Sequence, residues 1–217
     1  MYVTWHGFSC VKISETRQGG EVTLVTDPFS PEDGKKLSRS LVADIVTVSH
    51  DSARHHAIDA VGGTPFLING PGEYEVKDVF VTGMSTYHEI VDGKEKGTNT
   101  MFYITVGEIH IAHLGALSHP LEDRHVEELH DIDILFVPVG GGEVLNAKQA
   151  AAVVGQLEPR VIIPLHYKMN GYGTQLDGVE PFLKAMGMSK TEPLAKLKIS
   201  AKELPQEETK IILLEPQ

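Results

Sequence analysis

Apolar and polar positions alternate in short blocks along the first half of the chain and merge into continuous apolar runs in the second. Tyr2–His6, Cys10–Ser14 and Val22–Thr26 are rich in β-forming residues, at the spacing a half-buried strand requires. The polar stretch Glu15–Glu21, with Gly19-Gly20 inside it, predicts a hairpin turn. Asp27-Pro28-Phe29 stops the third strand. Asp44–Ser49 predicts a buried strand, and a polar, histidine-rich segment follows it. Pro65–Ile68, Tyr74–Lys77, Val79–Gly83, Asn99–Val106 and Ile109–His113 continue the strand pattern.

Glu122–Leu129 has helical spacing and leads into Ile132–Val139, an apolar run suited to a strand covered on both faces. Asn146–Leu157 is the clearest helix, with Asn146 as N-cap and Pro159 beyond its end. Val161–Leu165 predicts a further buried strand and Gly178–Met186 a second helix, and Leu197–Ile199 with Lys210–Leu214 predicts a closing pair of strands. Strands come first, then strands alternate with helices, without a repeat or a linker that would mark a boundary. The order predicts one layered α/β domain with mixed sheets over residues 1–217, not a doubly wound parallel sheet.

Composition narrows the class. The 217 residues carry a formal net charge of −11, with 41% hydrophobic and 23% charged positions, which excludes a wholly disordered or fibrous chain. No run approaches the roughly 18–20 apolar residues of a membrane span. Met1–His6 lacks the basic and apolar regions of a signal peptide. With one cysteine and no disulfide framework, a cytoplasmic location is expected. The acidic balance argues against nucleic-acid binding.

Eleven histidines against that single cysteine mean that a transition-metal site would be built from imidazole and carboxylate. The segments TVSH, STYH, HIAH and IIPLH run into His50, His88, His113 and His166. In layered α/β folds ligands bind beyond strand ends, so imidazoles delivered to one edge suit a metal or hydrolytic site. A histidine that merely caps its strand is the plainer reading of each one alone. Cys10 lies in a core strand and reads as inert packing. Gly140-Gly141-Gly142 lacks the lysine and hydroxyl residue of a phosphate loop and reads as a turn. Glu73 and Glu75 share one face of a strand and read as surface charge.

The segment Ser49-His50-Asp51-Ser52-Ala53-Arg54-His55-His56 resembles the metallo-β-lactamase signature His-x-His-x-Asp-His with its first and last positions filled. Further landmarks follow in order. They are Thr26-Asp27-Pro28, Gly70-Pro71-Gly72-Glu73-Tyr74-Glu75, His88 with Gly97-Thr98-Asn99-Thr100, His113-Leu114-Gly115, Pro138-Val139-Gly140-Gly141 and Pro164-Leu165-His166-Tyr167-Lys168. Together they are similar to the ascorbate-6-phosphate lactonase-like branch of zinc-dependent hydrolases in the metallo-β-lactamase superfamily. The resemblance implies a four-layer αββα sandwich, two mixed β-sheets flanked by helices, with the site at the sheet edges.

It also implies a hydrolase in which two zinc or manganese ions activate water. By that pattern one ion would take positions 50, 52 and 88, the other 54, 55 and 166, and a carboxylate at 116 would bridge them. The chain keeps His50, His55, His88 and His166 but has Ser52, Arg54 and Ala116 at the other positions. A guanidinium in place of a carboxylate opposes a dication instead of neutralising it. The expectation is therefore a single zinc or manganese ion, or none, on the four histidines, with Asp51, His56 and His113 in supporting positions. Phe8 and Val144 stand where the branch often has polar residues, making the pocket less polar.

Two functions follow. One is hydrolysis of a small lactone, ester or phosphoester at an altered centre. The other is a non-catalytic binding or assembly module whose pocket, with Arg54 among imidazoles, takes a carboxylate or phosphate. Either way the expected partner is a small anionic molecule, not nucleic acid or membrane, and self-association is left open.

Overall fold

A computed structural model of the chain describes every residue except 18, 32–34, 92, 93 and 190. In chain order the strands are β1 (Tyr2–Gly7), β2 (Cys10–Arg17), β3 (Gly20–Thr26), β4 (Ile45–Thr47), β5 (Phe66–Ile68), β6 (Gly72–Val76), β7 (Val79–Val91), β8 (Lys94–Val106) and β9 (Ile109–His113). Then come helix α1 (Asp123–Glu128), β10 (Ile134–Pro138), α2 (Ala147–Leu157), β11 (Val161–Leu165), α3 (Glu180–Ala185), β12 (Leu197–Lys198) and β13 (Lys210–Ile211). They form two mixed sheets in an α/β sandwich, ordered β12-β1-β2-β3-β4-β5 and β13-β11-β10-β9-β8-β7-β6.

Alternation decides what each face of the first sheet meets. Val11, Leu24 and Ile45 enter the large core shared with the second sheet. Their neighbours Cys10, Val25 and Val46 enter a smaller cluster on the opposite face, with Phe8, Phe29 and Tyr172. Both faces are buried, so these strands read as continuous apolar runs.

In the second sheet β9, β10, β11 and β13 run parallel, and β6, β7, β8 and β9 pair antiparallel. In the first, β3, β4 and β5 are parallel. The segments that follow Thr26, Thr47, His113 and Leu165 are thus carried by the carboxyl ends of parallel strands, where a layered sheet places its ligand site.

The hairpin of β7 and β8 is longer than alternation predicted, pairing from Val79↔Val106 to Val91↔Lys94. The paired stretch therefore takes in Ser85–His88 and Gly97–Asn99. Lys77 and Asp78 both have positive φ, 51° and 58°, and so make the tight β6–β7 turn without glycine. β2 and β3 pair up to Arg17↔Gly20, bracketing the expected turn, and position 18 lies outside the described residues.

The capping of α2 is as expected. Asn146 accepts from the Lys148 and Gln149 amides, the Gln149 side chain accepts from the Asn146 amide, and Glu158 closes the helix in the left-handed region. The closing strands are a correction: β12 pairs with β1 and β13 with β11, so they belong to different sheets. Trp5 and Leu194 make further isolated bridges with Pro216 and Leu214. Among the described residues no helix is long and apolar enough to cross a membrane.

Candidate functional site

Asp27 follows the last residue of β3 and is fully buried with φ 41°. Its carboxylate accepts from the Ser49 amide (2.7 Å), the Ser49 hydroxyl (2.6 Å) and His55 Nδ1 (2.9 Å). Burial alone would raise its pKa. The charge and hydrogen bond of His55, the nearby His113 and the Ser49 bond outweigh that and hold it below the usual carboxylate range. In the sequence Asp27 stands only as a strand stop and a landmark. Its position directly after a β-branched strand and before proline was the available signal.

Three of the strand-end imidazoles, His50, His88 and His166, lie side by side with that of His55 from the loop after β4. The rings of His50 and His88 stack with centroids 4.1 Å apart, and those of His55 and His166 stack at 5.3 Å. His50 and His55 are 5.9 Å apart, edge to face. In every one the Nδ1 atom is engaged by an oxygen: His50 with Thr98 O at 2.9 Å, His55 with Asp27, His88 with Ala116 O at 3.0 Å, and His166 with Ser9 Oγ at 3.0 Å. A carbonyl or carboxylate only accepts, so His50, His55 and His88 each carry their proton on Nδ1. In the neutral form the lone pair of each ring then lies on Nε2.

His166 is 1% exposed, and its Nε2 is buried with no hydrogen-bond partner among the described residues. Burial first, then the charges of His55, Arg54, His88 and His113, hold its pKa well below the ordinary histidine value. Its backbone has φ 53°, and its amide donates to Phe8 O at 3.0 Å, fixing the β11 end against the β1–β2 turn. Among the described residues, no three His, Cys, Asp or Glu side chains form a group placed to hold a metal ion. The imidazoles stand as two pairs, not as one closed shell.

Other expected residues take different places. Ala116 is 1% exposed, and its amide donates to Asn99 Oδ1 while its carbonyl receives His88. Gly115 must be glycine: its φ is 60°, and a Cβ there would strike Ser49 and Asn99. His113 is fully committed, donating Nε2 to Ser9 O and accepting the Gly115 amide on Nδ1. Asp51 and His56 pair with each other at 2.7 Å on the surface. Ser52 is half-buried, and its backbone closes the loop through bonds to His50, His55 and His56.

The Arg54 guanidinium sits over the Phe8 ring at 5.5 Å and donates from Nη1 to Glu143 Oε2 at 3.0 Å. The loop 116–119 clamps β7 over Thr86–His88. Ser118 Oγ donates to His88 O, and His119 Nε2 meets Thr86 Oγ at 2.9 Å and Tyr87 O at 3.0 Å.

A two-sheet sandwich that gathers imidazoles and a buried aspartate where parallel strands end has the architecture of the β-lactamase superfamily. The sequence profile of the Beta-lactamase superfamily domain matches residues 2–166, and the chain belongs to that family. It is 34% identical, over 98% of both chains and with a TM-score of 0.77, to a Thermotoga maritima crystal structure provisionally assigned as a Zn-dependent hydrolase of the metallo-beta-lactamase superfamily. It is 24% identical to a UPF0173 protein of Pyrococcus abyssi, over 80% of this chain and 87% of the relative. It is 25% identical to a UPF0173 metal-dependent hydrolase of Lysinibacillus sphaericus, over 77% and 85%.

Proposed function

We propose that this chain is a metal-dependent hydrolase of the superfamily whose centre has been reduced from two ions to one. It would act at a low rate on a small lactone, ester or phosphoester, as the lactonase-like resemblance implies. The supporting observation is the shared bonding of His50, His55, His88 and His166, each with Nδ1 tied to oxygen, beside the partnerless Nε2 of buried His166. Metal-ligating histidines characteristically have this arrangement, in which the outer partner fixes the tautomer and raises the basicity of the donor.

The residues present fit one ion in donor chemistry and do not fit two. Neutral imidazole nitrogens are good ligands for zinc and acceptable for manganese. Ser52, Arg54 and Ala116 supply no carboxylate to offset a second dication. The unpartnered Nε2 of buried His166 is the strongest single sign of a missing partner, since an unsatisfied buried polar atom costs roughly 1–3 kcal/mol. Because the rings stand as two pairs, closing them on an ion requires side-chain adjustment.

Bound there, the ion would supply a polarised water and a Lewis acid for the carbonyl or phosphoryl oxygen. The chain itself does the positioning. Asp27 orients His55, Ser9 orients His166, and the carbonyls of Thr98 and Ala116 orient His50 and His88. Phe8, with Phe29 and Tyr172 against it, forms a dry wall beside His166.

Elemental analysis of protein purified without chelator, with zinc and manganese offered, tests the reading. One equivalent of metal per chain is expected, falling to background in His55→Ala and His166→Ala. Two equivalents, or none, would overturn it.

A further inference from the structure

We propose that Arg54 is an oxyanion anchor beside the histidine cluster, and that Glu143 occupies it until a small carboxylate or phosphate displaces it. The inference rests on reading that cluster as the ligand pocket, but it does not require the metal.

Three observations carry it. First, Arg54 borders the histidine cluster: the Phe8 ring that lies under its guanidinium at 5.5 Å also lies 5.6 Å from the His166 ring. Arginine and histidine therefore share one aromatic wall. Second, the two members of the ion pair differ in burial: the Arg54 side chain is 15% exposed, whereas that of Glu143 is 68% exposed. The guanidinium is largely buried, and the Glu143 carboxylate stands on the solvent side, where an arriving anion would approach. Third, Glu143 follows Gly141 and Gly142, both at φ 66°. This left-handed turn after β10 brings the loop carboxylate over to a residue 89 positions away in sequence.

The chemistry selects the ligand. A guanidinium presents donors in a planar fork that matches carboxylate and phosphate oxygens. An exposed ion pair contributes little, so replacing Glu143 by another oxyanion is nearly an exchange of like for like. The chain's net charge of −11 repels extended polyanions. A small ligand with one such group is therefore the fitting class, and in a hydrolase it would be held by that group while its scissile bond lies among the imidazoles.

The test is calorimetric titration of the full-length protein, as purified and after chelator treatment, with inorganic phosphate and, separately, acetate at low ionic strength. Glu143→Gln should bind the preferred anion about two- to five-fold more tightly, the range expected from removing an exposed competing pair. Arg54→Gln should weaken it at least about ten-fold, the size of a lost charge-assisted bond. Arg54→Lys keeps the charge without the fork and should fall between. If Arg54→Gln fails to fold, the lysine and Glu143 variants carry the test.

Unchanged binding in Arg54→Gln or Arg54→Lys, no tightening in Glu143→Gln, or no binding of either anion would overturn the proposal. Arg54-dependent binding in protein that takes up no metal would support the anchor while sinking the metal reading. Metal uptake with Arg54-independent binding would do the reverse.

Discussion

Changing Ser52→His, Arg54→Asp and Ala116→Asp together should give the proposed one-ion centre the ligands for two, and the structure sets the energetic signature. Position 116 is 1% exposed, so without metal an aspartate there is an uncompensated buried charge costing about 3–5 kcal/mol. Losing the Arg54–Glu143 pair costs about 0.2–1 kcal/mol. Losing the guanidinium over Phe8 costs a further 0.5–1 kcal/mol or so. At about 2–4 °C per kcal/mol for a chain of this size, the metal-free variant should melt roughly 7–28 °C below the parent.

Zinc should reverse the order. Each ion bound at a thousand-fold excess over its Kd adds about 4 kcal/mol. The zinc-dependent rise in Tm should then be about twice as large in the variant as in the parent. Melting curves with and without zinc, beside metal content per chain, read both quantities. A variant with the circular dichroism of the parent but no more zinc than the parent would show that the pocket has diverged beyond its ligands.

Three other outcomes are expected. Asp27→Ala strands the Ser49 amide, the Ser49 hydroxyl and His55 Nδ1 inside the protein and should cost about 3–5 kcal/mol in denaturant unfolding; a loss under 1 kcal/mol would contradict the assigned network. Gly115→Ala should lose at least about 2 kcal/mol through its positive φ and the clash with Ser49 and Asn99, and a Tm equal to the parent's would refute the turn. Acidification should destabilise the fold, because His6, lowered from 6.5 to about 4 by burial and then by Lys12 and Lys35, stays neutral in the folded state, whereas in the unfolded chain it takes up a proton as pH falls through 6.5. The unfolded state then binds more protons, so about 3 kcal/mol is lost between pH 6.5 and 4. The depressed His166 adds in the same direction, and Asp27 adds its loss below the ordinary carboxylate range; a Tm that is flat or rises toward pH 4.5 would exclude this account.

The sequence by itself determined the elements whose cause is local. Asn146 and Gln149 specify the start of α2 through bonds three residues apart. Apolar runs such as Ile134–Pro138 and Val161–Leu165, short and rich in β-forming residues, read as strands buried on both faces. The order of imidazoles at strand ends, with the chain-long landmarks, pointed to the superfamily and to the side chains that the fold brings together.

What depended on distant contacts was not legible. Lys210–Ile211 joins the second sheet and Leu197–Lys198 the first because each meets a different exposed strand edge, and two short runs do not encode which edge. Asp27 gains its role from Ser49 and His55, 22 and 28 positions away. Its ionised state in a fully buried position is decided by donors that only folding assembles. The same holds for Arg54. Sequence placed a guanidinium where the family has a carboxylate, but its seat over Phe8 and its bond to Glu143 arise because the loops after β1, β4 and β10 converge on one edge of the sandwich.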